Sequence, residues 1–281
     1  MTGLEPVATQ VADLINDVEY AQEREAEGLP VGNEPPANLI FSGPSGTGKT
    51  TVAELVAPLY NALGITPKDK IVSVNPADLY GSVMGETQEK VKAAFDKAKG
   101  GVLFIDEAYG LVTGKDDTYG KQALAVMASE MTKNPDTVVI LAGYEKDIKD
   151  MLAHNEGMPR RFQRTINFKP YDQGDRFDIL MNTLDEGKYQ LESPEVMDLL
   201  EDAVLDTGGG NAGDVKNLFR EIVQAQKARI VDEDPAEDRK AQLATITEAD
   251  VKRGVRRFRD MGSVDKPLRG VLVPTSRKKA S

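Results

Sequence analysis

Residues 43–50 read GPSGTGKT, and VLFIDEAY follows at 102–109. The first string has the spacing G-x-x-x-x-G-K-[ST] of a phosphate-binding loop. Gly43, Gly46 and Gly48 let the backbone curl so that successive N–H groups face an anion. Lys49 brings a positive charge to the β- and γ-phosphates, and Thr50 offers a hydroxyl to Mg²⁺. Pro44, Ser45, Thr47 and Thr51 complete the stretch expected to hold the nucleotide. The second string is an apolar strand ending in two carboxylates. Asp106 would hold the Mg²⁺, directly or through a water, and Glu107 would orient and deprotonate the attacking water. An isolated Asp-Glu pair reads better as the acidic start of a helix, and the loop pattern alone can arise by chance. Together and in this order, they describe a site that hydrolyses ATP.

Such a loop must follow a strand and open a helix. The apolar run Asn38–Leu39–Ile40–Phe41 precedes it and a helical stretch, Thr50–Tyr60, follows. Strands are expected at about 38–42, 70–74, 101–105 and 137–142, with a shorter one at Thr165–Phe168. Helices alternate with them at about 49–63, 86–99, 119–133 and 146–153, after an opening helix at 5–28. Alternating β and α elements argue for a parallel sheet covered on both faces. In such sheets ligands bind at the carboxyl ends of the strands, where both motifs fall. After Lys169–Pro170–Tyr171 the pattern is helical only, at about 174–187, 195–206, 212–231 and 248–260. The expected organisation is an α/β nucleotide-binding core over 1–170, an all-helical lid over 171–260, and a flexible tail over 261–281. The acidic stretch Asp232–Asp238 reads as a solvated loop.

Composition narrows the chemistry. With 281 residues, 40% of them apolar, the chain can build one large core or two modest ones. It has no cysteine, which excludes disulfides, thiolate catalysis and cysteine-based zinc sites. Its one histidine, His154, reads as a solvated loop residue. No run of eighteen apolar residues could span a membrane. The opening MTGLEPVATQ has neither a basic start nor an apolar stretch, so no signal peptide is expected and a cytoplasmic protein is the simple reading. The net charge of −11 argues against a broad nucleic-acid surface. The basic stretch Arg277–Lys278–Lys279 reads as a solvated end.

An αβα nucleotide domain followed by a helical lid resembles an AAA+ ATPase. The strings TGLEPVATQVADLI, EAEGLPV, GGVLFIDEAYGL, VVILAGYEKDI and NEGMPRRF sit in that family's order, so the resemblance covers about residues 2–260. It is greatest to the subgroup with red-type Rubisco activases, the stage V sporulation protein K and the AAA+ domain of type VII secretion ATPases. The resemblance implies ATP and Mg²⁺, a ring of identical subunits with six members, and a protein target. It makes Gly43 through Thr50 the phosphate loop and Asp106 with Glu107 the hydrolysis pair. Asn75 matches the polar residue that contacts the catalytic glutamate, although a turn-forming Asn before Pro76 is an equal reading. Arg161, in Arg160–Arg161–Phe162, matches the arginine finger that reaches a neighbour's γ-phosphate, with Arg160 competing for the role.

The chain departs from the family pattern in three places. The first sensor, usually Asn or Thr, is replaced in Ala142–Gly143–Tyr144, where the Tyr144 hydroxyl could contact phosphate or water. The second sensor is an arginine in a GNAR string, and here Gly210–Asn211–Ala212–Gly213 lacks it. Lys216, one helical turn on, could substitute, or the lid reads nucleotide without a charge. The axial pore loop, usually aromatic–apolar–glycine, is Val83–Met84–Gly85 with Tyr80 nearby, which weakens the expectation of threading. Three functions stay open: a remodeller of protein partners, a nucleic-acid-directed loader or helicase accessory, and a slow nucleotide-dependent assembly switch.

Overall fold

The computed structural model describes residues 2–31, 37–81, 85–114, 116–207, 211–233 and 238–264. The order is α1 (Glu5–Ala26), β1 (Leu39–Ser42), α2 (Lys49–Ala62), β2 (Ile71–Val74), α3 (Pro76–Leu79), α4 (Glu86–Ala98) and β3 (Val102–Ile105). There follow α5 (Thr118–Lys133), β4 (Val138–Gly143), α6 (Glu145–Leu152), β5 (Arg164–Asn167) and α7 (Gln173–Glu186). The remainder is β6 (Gln190–Leu191), α8 (Pro194–Asp206), α9 (Ala212–Asp232), α10 (Arg239–Ala244), β7 (Thr245–Ile246) and α11 (Glu248–Val264). Short 3₁₀ turns occupy Ala108–Leu111 and Pro159–Arg161.

The first five strands form one parallel sheet in the order β2-β3-β4-β1-β5. Every residue of β3 and β4 is buried, as a sheet covered on both faces requires. Alternation along the strands sorts their side chains to two faces. Ile40, Leu103, Ile105, Val139 and Leu141 share a core with Val91 and Phe95 of α4, Leu124 and Met127 of α5, and Ile148 of α6. Phe41 and Phe104 meet edge to face at 6.5 Å, and Phe168 joins them. Each such buried ring contributes roughly 1.5–3 kcal/mol. The register sets Ser42 beside Gly143 and Ile105 beside Val74. The loops after all five strands therefore leave the sheet at one edge, β5 ending at Asn167 beside Ser42.

The contacts divide the chain into two compact units, 1–175 with 209–213, and 176–208 with 214–281. The second unit closes around Leu180, Leu184, Leu200, Val204, Leu218, Ile222 and Ile246. It also holds a parallel pairing of β6 with β7 that the helical pattern gave no hint of. Two-residue strands carry no period to read. Helix α11 runs to Val264, past the expected end at 260. Gly262 and Ser263 are poor helix formers, which hid the last turn. The rest of the tail, residues 234–237 of the acidic stretch, and Val83 and Met84 lie outside the described residues. His154 is exposed in a turn after α6. Among the described residues no helix is long and apolar enough to cross a membrane.

A Cβ built at Gly254 of α11 would sit 2.5 Å from the Ile222 Cα of α9. Backbone cannot swing aside as a flexible side chain can. Gly254→Ala should therefore destabilise the second unit by about 1–3 kcal/mol, overriding the gain of roughly 1 kcal/mol that alanine brings to a helix interior. Thermal denaturation checks this, and a raised Tm would contradict so close an approach of α9 and α11.

Candidate active site

The phosphate loop begins where β1 ends. Gly43 donates its N–H to the Gly143 carbonyl at 3.0 Å, fastening the loop to β4. A Cβ there would lie 2.3 Å from the Phe168 carbonyl oxygen, so only glycine fits. The loop ends at Gly48, the N-cap of α2, and the orphan N–H groups of that helix's first turn point back into it. Thr47 is fully buried and turns its hydroxyl onto the Pro44 carbonyl at 2.8 Å. Ser45 and Thr51 are exposed.

Lys49 is only 6% exposed, and its ammonium donates to the carbonyls of Gly43 at 2.8 Å and Pro44 at 2.7 Å. Burial pushes its pKa below the usual lysine value, while the carboxylates of Asp106 and Glu107 pull the other way. The loop lysine and the acidic pair are thus close enough to feel one another across the sheet edge.

Asp106 leaves β3 with its N–H on the Val74 carbonyl at 3.0 Å. Its Oδ2 accepts from the Thr50 hydroxyl at 3.4 Å. A hydroxyl and a carboxylate brought together in this way are oxygen donors of the kind that would hold Mg²⁺, which would neutralise charge on the phosphates.

Glu107 adopts a left-handed backbone, φ 51° and ψ 38°. For a non-glycine residue this costs on the order of 1–3 kcal/mol and persists only where the surroundings enforce it. Here the Glu107 N–H donates to Asp106 Oδ1 at 3.0 Å, and its carbonyl accepts from Gly110 N–H at 2.9 Å. Two residues on, the Tyr109 ring packs against Gly143, where a Cβ would meet it at 2.8 Å. Tyr109 also pairs with the Tyr144 ring at 6.4 Å. The strained turn is thereby held against β4. Tyr109 had no signal in the sequence beyond its place in the DEAY string.

The remaining expected residues fare differently. Asn75 ends β2, level with Asp106, but it is exposed and begins α3 with its N–H on Asp78 Oδ2 at 2.8 Å. Among the described residues no hydrogen bond joins it to Glu107. Tyr144 caps α6 with its side chain 48% exposed. Lys216 belongs to the second unit, on the exposed side of α9. Tyr80 is tied inward, its hydroxyl donating to the Gly110 carbonyl at 2.6 Å. Burial and the Asp117 carboxylate push that hydroxyl up to about 12. Arg161 is already engaged within its own chain. It donates to the Gly157 carbonyl at 2.5 Å and to the Thr132 hydroxyl at 2.9 Å. Arg160 is exposed, and no partner is described for its guanidinium among the described residues.

A phosphate loop opening the second helix, at the head of a parallel sheet whose third strand ends in an acidic pair, defines a P-loop nucleoside triphosphatase. The sequence matches the ATPase family associated with various cellular activities (AAA) over residues 39–170 and the AAA lid domain over 177–260. The chain belongs to the AAA ATPase family and hydrolyses ATP. It is 31% identical to stage V sporulation protein K of Bacillus subtilis, over 89% of this chain and 79% of that protein. It is 34% identical to protein CfxQ of Xanthobacter flavus, over 95% and 84%. The ESX-3 secretion system protein EccA3 of Mycolicibacterium smegmatis is 36% identical over 89% of this chain. The chain spans only 44% of the length of that relative. Among solved structures, the FIGL-1 AAA domain in complex with ADP shares the fold, with TM-score 0.55 and 20% identity over 83% of this chain and 73% of that one. The subgroup suggested by the sequence strings is therefore the right one.

Proposed function

We propose that this ATPase works as a six-membered ring that remodels a protein partner. Gly43–Thr50 cradle the phosphates, Lys49 neutralises the β- and γ-phosphates, and Thr50 with Asp106 holds Mg²⁺. Glu107 activates the water. Asn75 holds the Glu107 carboxylate until ATP and substrate are in place, and Tyr144 and Lys216 stand in for the missing sensors. The observation that carries this reading is the meeting of Lys49, Thr50, Asp106 and the strained Glu107 at one sheet edge. An exposed arginine beside one bound in its own chain supports completion of each site by a neighbouring subunit. The net charge of −11 favours a protein over a nucleic acid as the target. The relatives bear names from secretion and from sporulation, so the target is this chain's own question.

The slow assembly switch is the second reading. It is favoured by the end of β4, where Gly143 offers no polar side chain and Tyr144 faces solvent. The mass in solution tests the ring, with and without ATP and using Glu107→Gln to hold the nucleotide. We expect ATP to convert smaller species into a six-subunit particle. A monomer at all nucleotide concentrations would refute the ring. ATP turnover raised several-fold by a captured partner would favour the remodeller, and turnover indifferent to every partner would favour the switch.

A further inference from the structure

The phosphate loop is gripped from outside by residues that sit far away in sequence. The Asn211 side chain, only 8% exposed, donates through Nδ2 to the Ser45 carbonyl at 2.9 Å. The next residue, Ala212, donates its backbone N–H to the Gly46 carbonyl at 3.1 Å. Tyr171 donates its hydroxyl to the Thr47 carbonyl at 3.1 Å. Three donors thus take three consecutive loop carbonyls. The clamp is itself joined, since Asn211 Oδ1 accepts the Tyr171 N–H at 3.2 Å. Both polar ends of the Asn211 amide are engaged, which fixes its orientation by chemistry. Tyr171, Asn211 and Ala212 belong to the same compact unit as the loop.

The fit is close as well as polar. A Cβ at Gly46 would lie 3.2 Å from the Gly213 nitrogen and 3.3 Å from Asn211 Cβ. Burial, followed by the carboxylates of Asp175 and Glu5, raises the Tyr171 hydroxyl above the usual tyrosine value, which keeps it a donor.

The consequence follows from peptide geometry. In this loop the N–H groups are the working edge and the carbonyls are the back. Lys49 and Thr47 hold the carbonyls of Gly43 and Pro44 from inside the loop. The clamp holds the next three. A peptide whose carbonyl is fixed on the protein side keeps its plane, and with it the direction of the neighbouring N–H groups. A loop with its peptides already oriented binds phosphate without first ordering itself. The absence of an arginine from the GNAG string thus leaves its asparagine with work to do.

We propose that Asn211, with Tyr171 and the Ala212 amide, positions the phosphate loop for nucleotide, Asn211 being the central positioning residue. This rests on residues 43–50 being the nucleotide-binding loop. Near-isosteric changes remove the donors one at a time. Asn211→Asp keeps the acceptor for Tyr171 but loses the donor to Ser45. Tyr171→Phe loses only the hydroxyl. Ala212→Pro loses only the N–H, at the first position of α9, where helices accept proline. ADP affinity is read by displacement of a fluorescent ADP analogue at a temperature well below unfolding, together with the Tm of the nucleotide-free protein. We expect Asn211→Asp to weaken ADP about tenfold, and Tyr171→Phe and Ala212→Pro severalfold, with the nucleotide-free Tm within a few degrees of wild type. Lys49→Ala is the reference. If it loses ADP while all three clamp variants bind like wild type, the clamp is overturned and the loop reading stands. If Lys49→Ala also binds ADP like wild type, the loop reading itself fails. If affinity falls only in step with a large drop in Tm, Asn211 is a structural residue and the positioning role is refuted.

Discussion

Glu107→Gln should bind ATP as tightly as the wild type and hydrolyse it about 10²–10⁴-fold more slowly, the usual contribution of a general base. The amide keeps the volume of the side chain and the left-handed turn, which is fixed by the Asp106 carboxylate, the Gly110 N–H and the Tyr109 ring against Gly143. What it loses is the capacity to take a proton. Lys49→Ala should do the reverse at the binding step. It removes a buried cation facing the phosphates, and truncating one partner of a buried charge pair costs about 2–5 kcal/mol. Nucleotide affinity should then fall by about 10²-fold or more. Titration with a fluorescent nucleotide and phosphate release, run on both variants, separate the two roles. Turnover near wild type in Glu107→Gln would mean that another group activates the water. Unchanged affinity in Lys49→Ala would remove the loop from the site.

Those residues were legible in the sequence because their geometry is local. A loop of eight residues between a strand and a helix carries its own turns, and β3 needs only four apolar residues to bring Asp106 to the sheet edge. The parallel sheet followed from the alternation of elements, and its strand ends lie within a residue or so of the expected ones. What stayed hidden depends on contacts between distant segments. The hydroxyl of Tyr171 meets Thr47 across 124 residues, and the Asn211 amide meets Ser45 across 166. No spacing rule joins such pairs. Neither does a spacing rule reveal that Tyr109 packs against Gly143. The paired strands β6 and β7 are two residues each, too short for a period. At Asn75 two readings of one residue competed, and the local one, the start of α3 beside Asp78, is the contact present in this chain.

The adjacent arginines give the last expectation, because chemistry separates them where the sequence could not. The motif favoured Arg161 as the finger. In the structure its guanidinium is spent on Gly157 and Thr132, where it ties the Pro159–Arg161 turn to α5. Arg160 is the exposed one of the pair. If Arg160 reaches a neighbour's γ-phosphate and Arg161 anchors it, Arg160→Ala should cut turnover about 10³-fold or more with Tm unchanged. Arg161→Ala should lower the Tm, since three hydrogen bonds, to Gly157 and to Ala128 and Thr132 of α5, are lost at about 0.5–1.5 kcal/mol each. Arg160→Lys should not rescue, because an ammonium lacks the planar fork that spans phosphate oxygens. Action in trans has its own signature. Arg160→Ala subunits and Lys49→Ala subunits should each be inactive alone, yet mixed rings should regain part of the activity wherever an intact loop faces an intact finger. Absence of recovery in rings shown to be mixed would place the arginine's work within its own subunit. Recovery with Arg161→Ala in place of Arg160→Ala would mean that Arg161 leaves Thr132 when the ring closes, and that the finger is the residue the motif named.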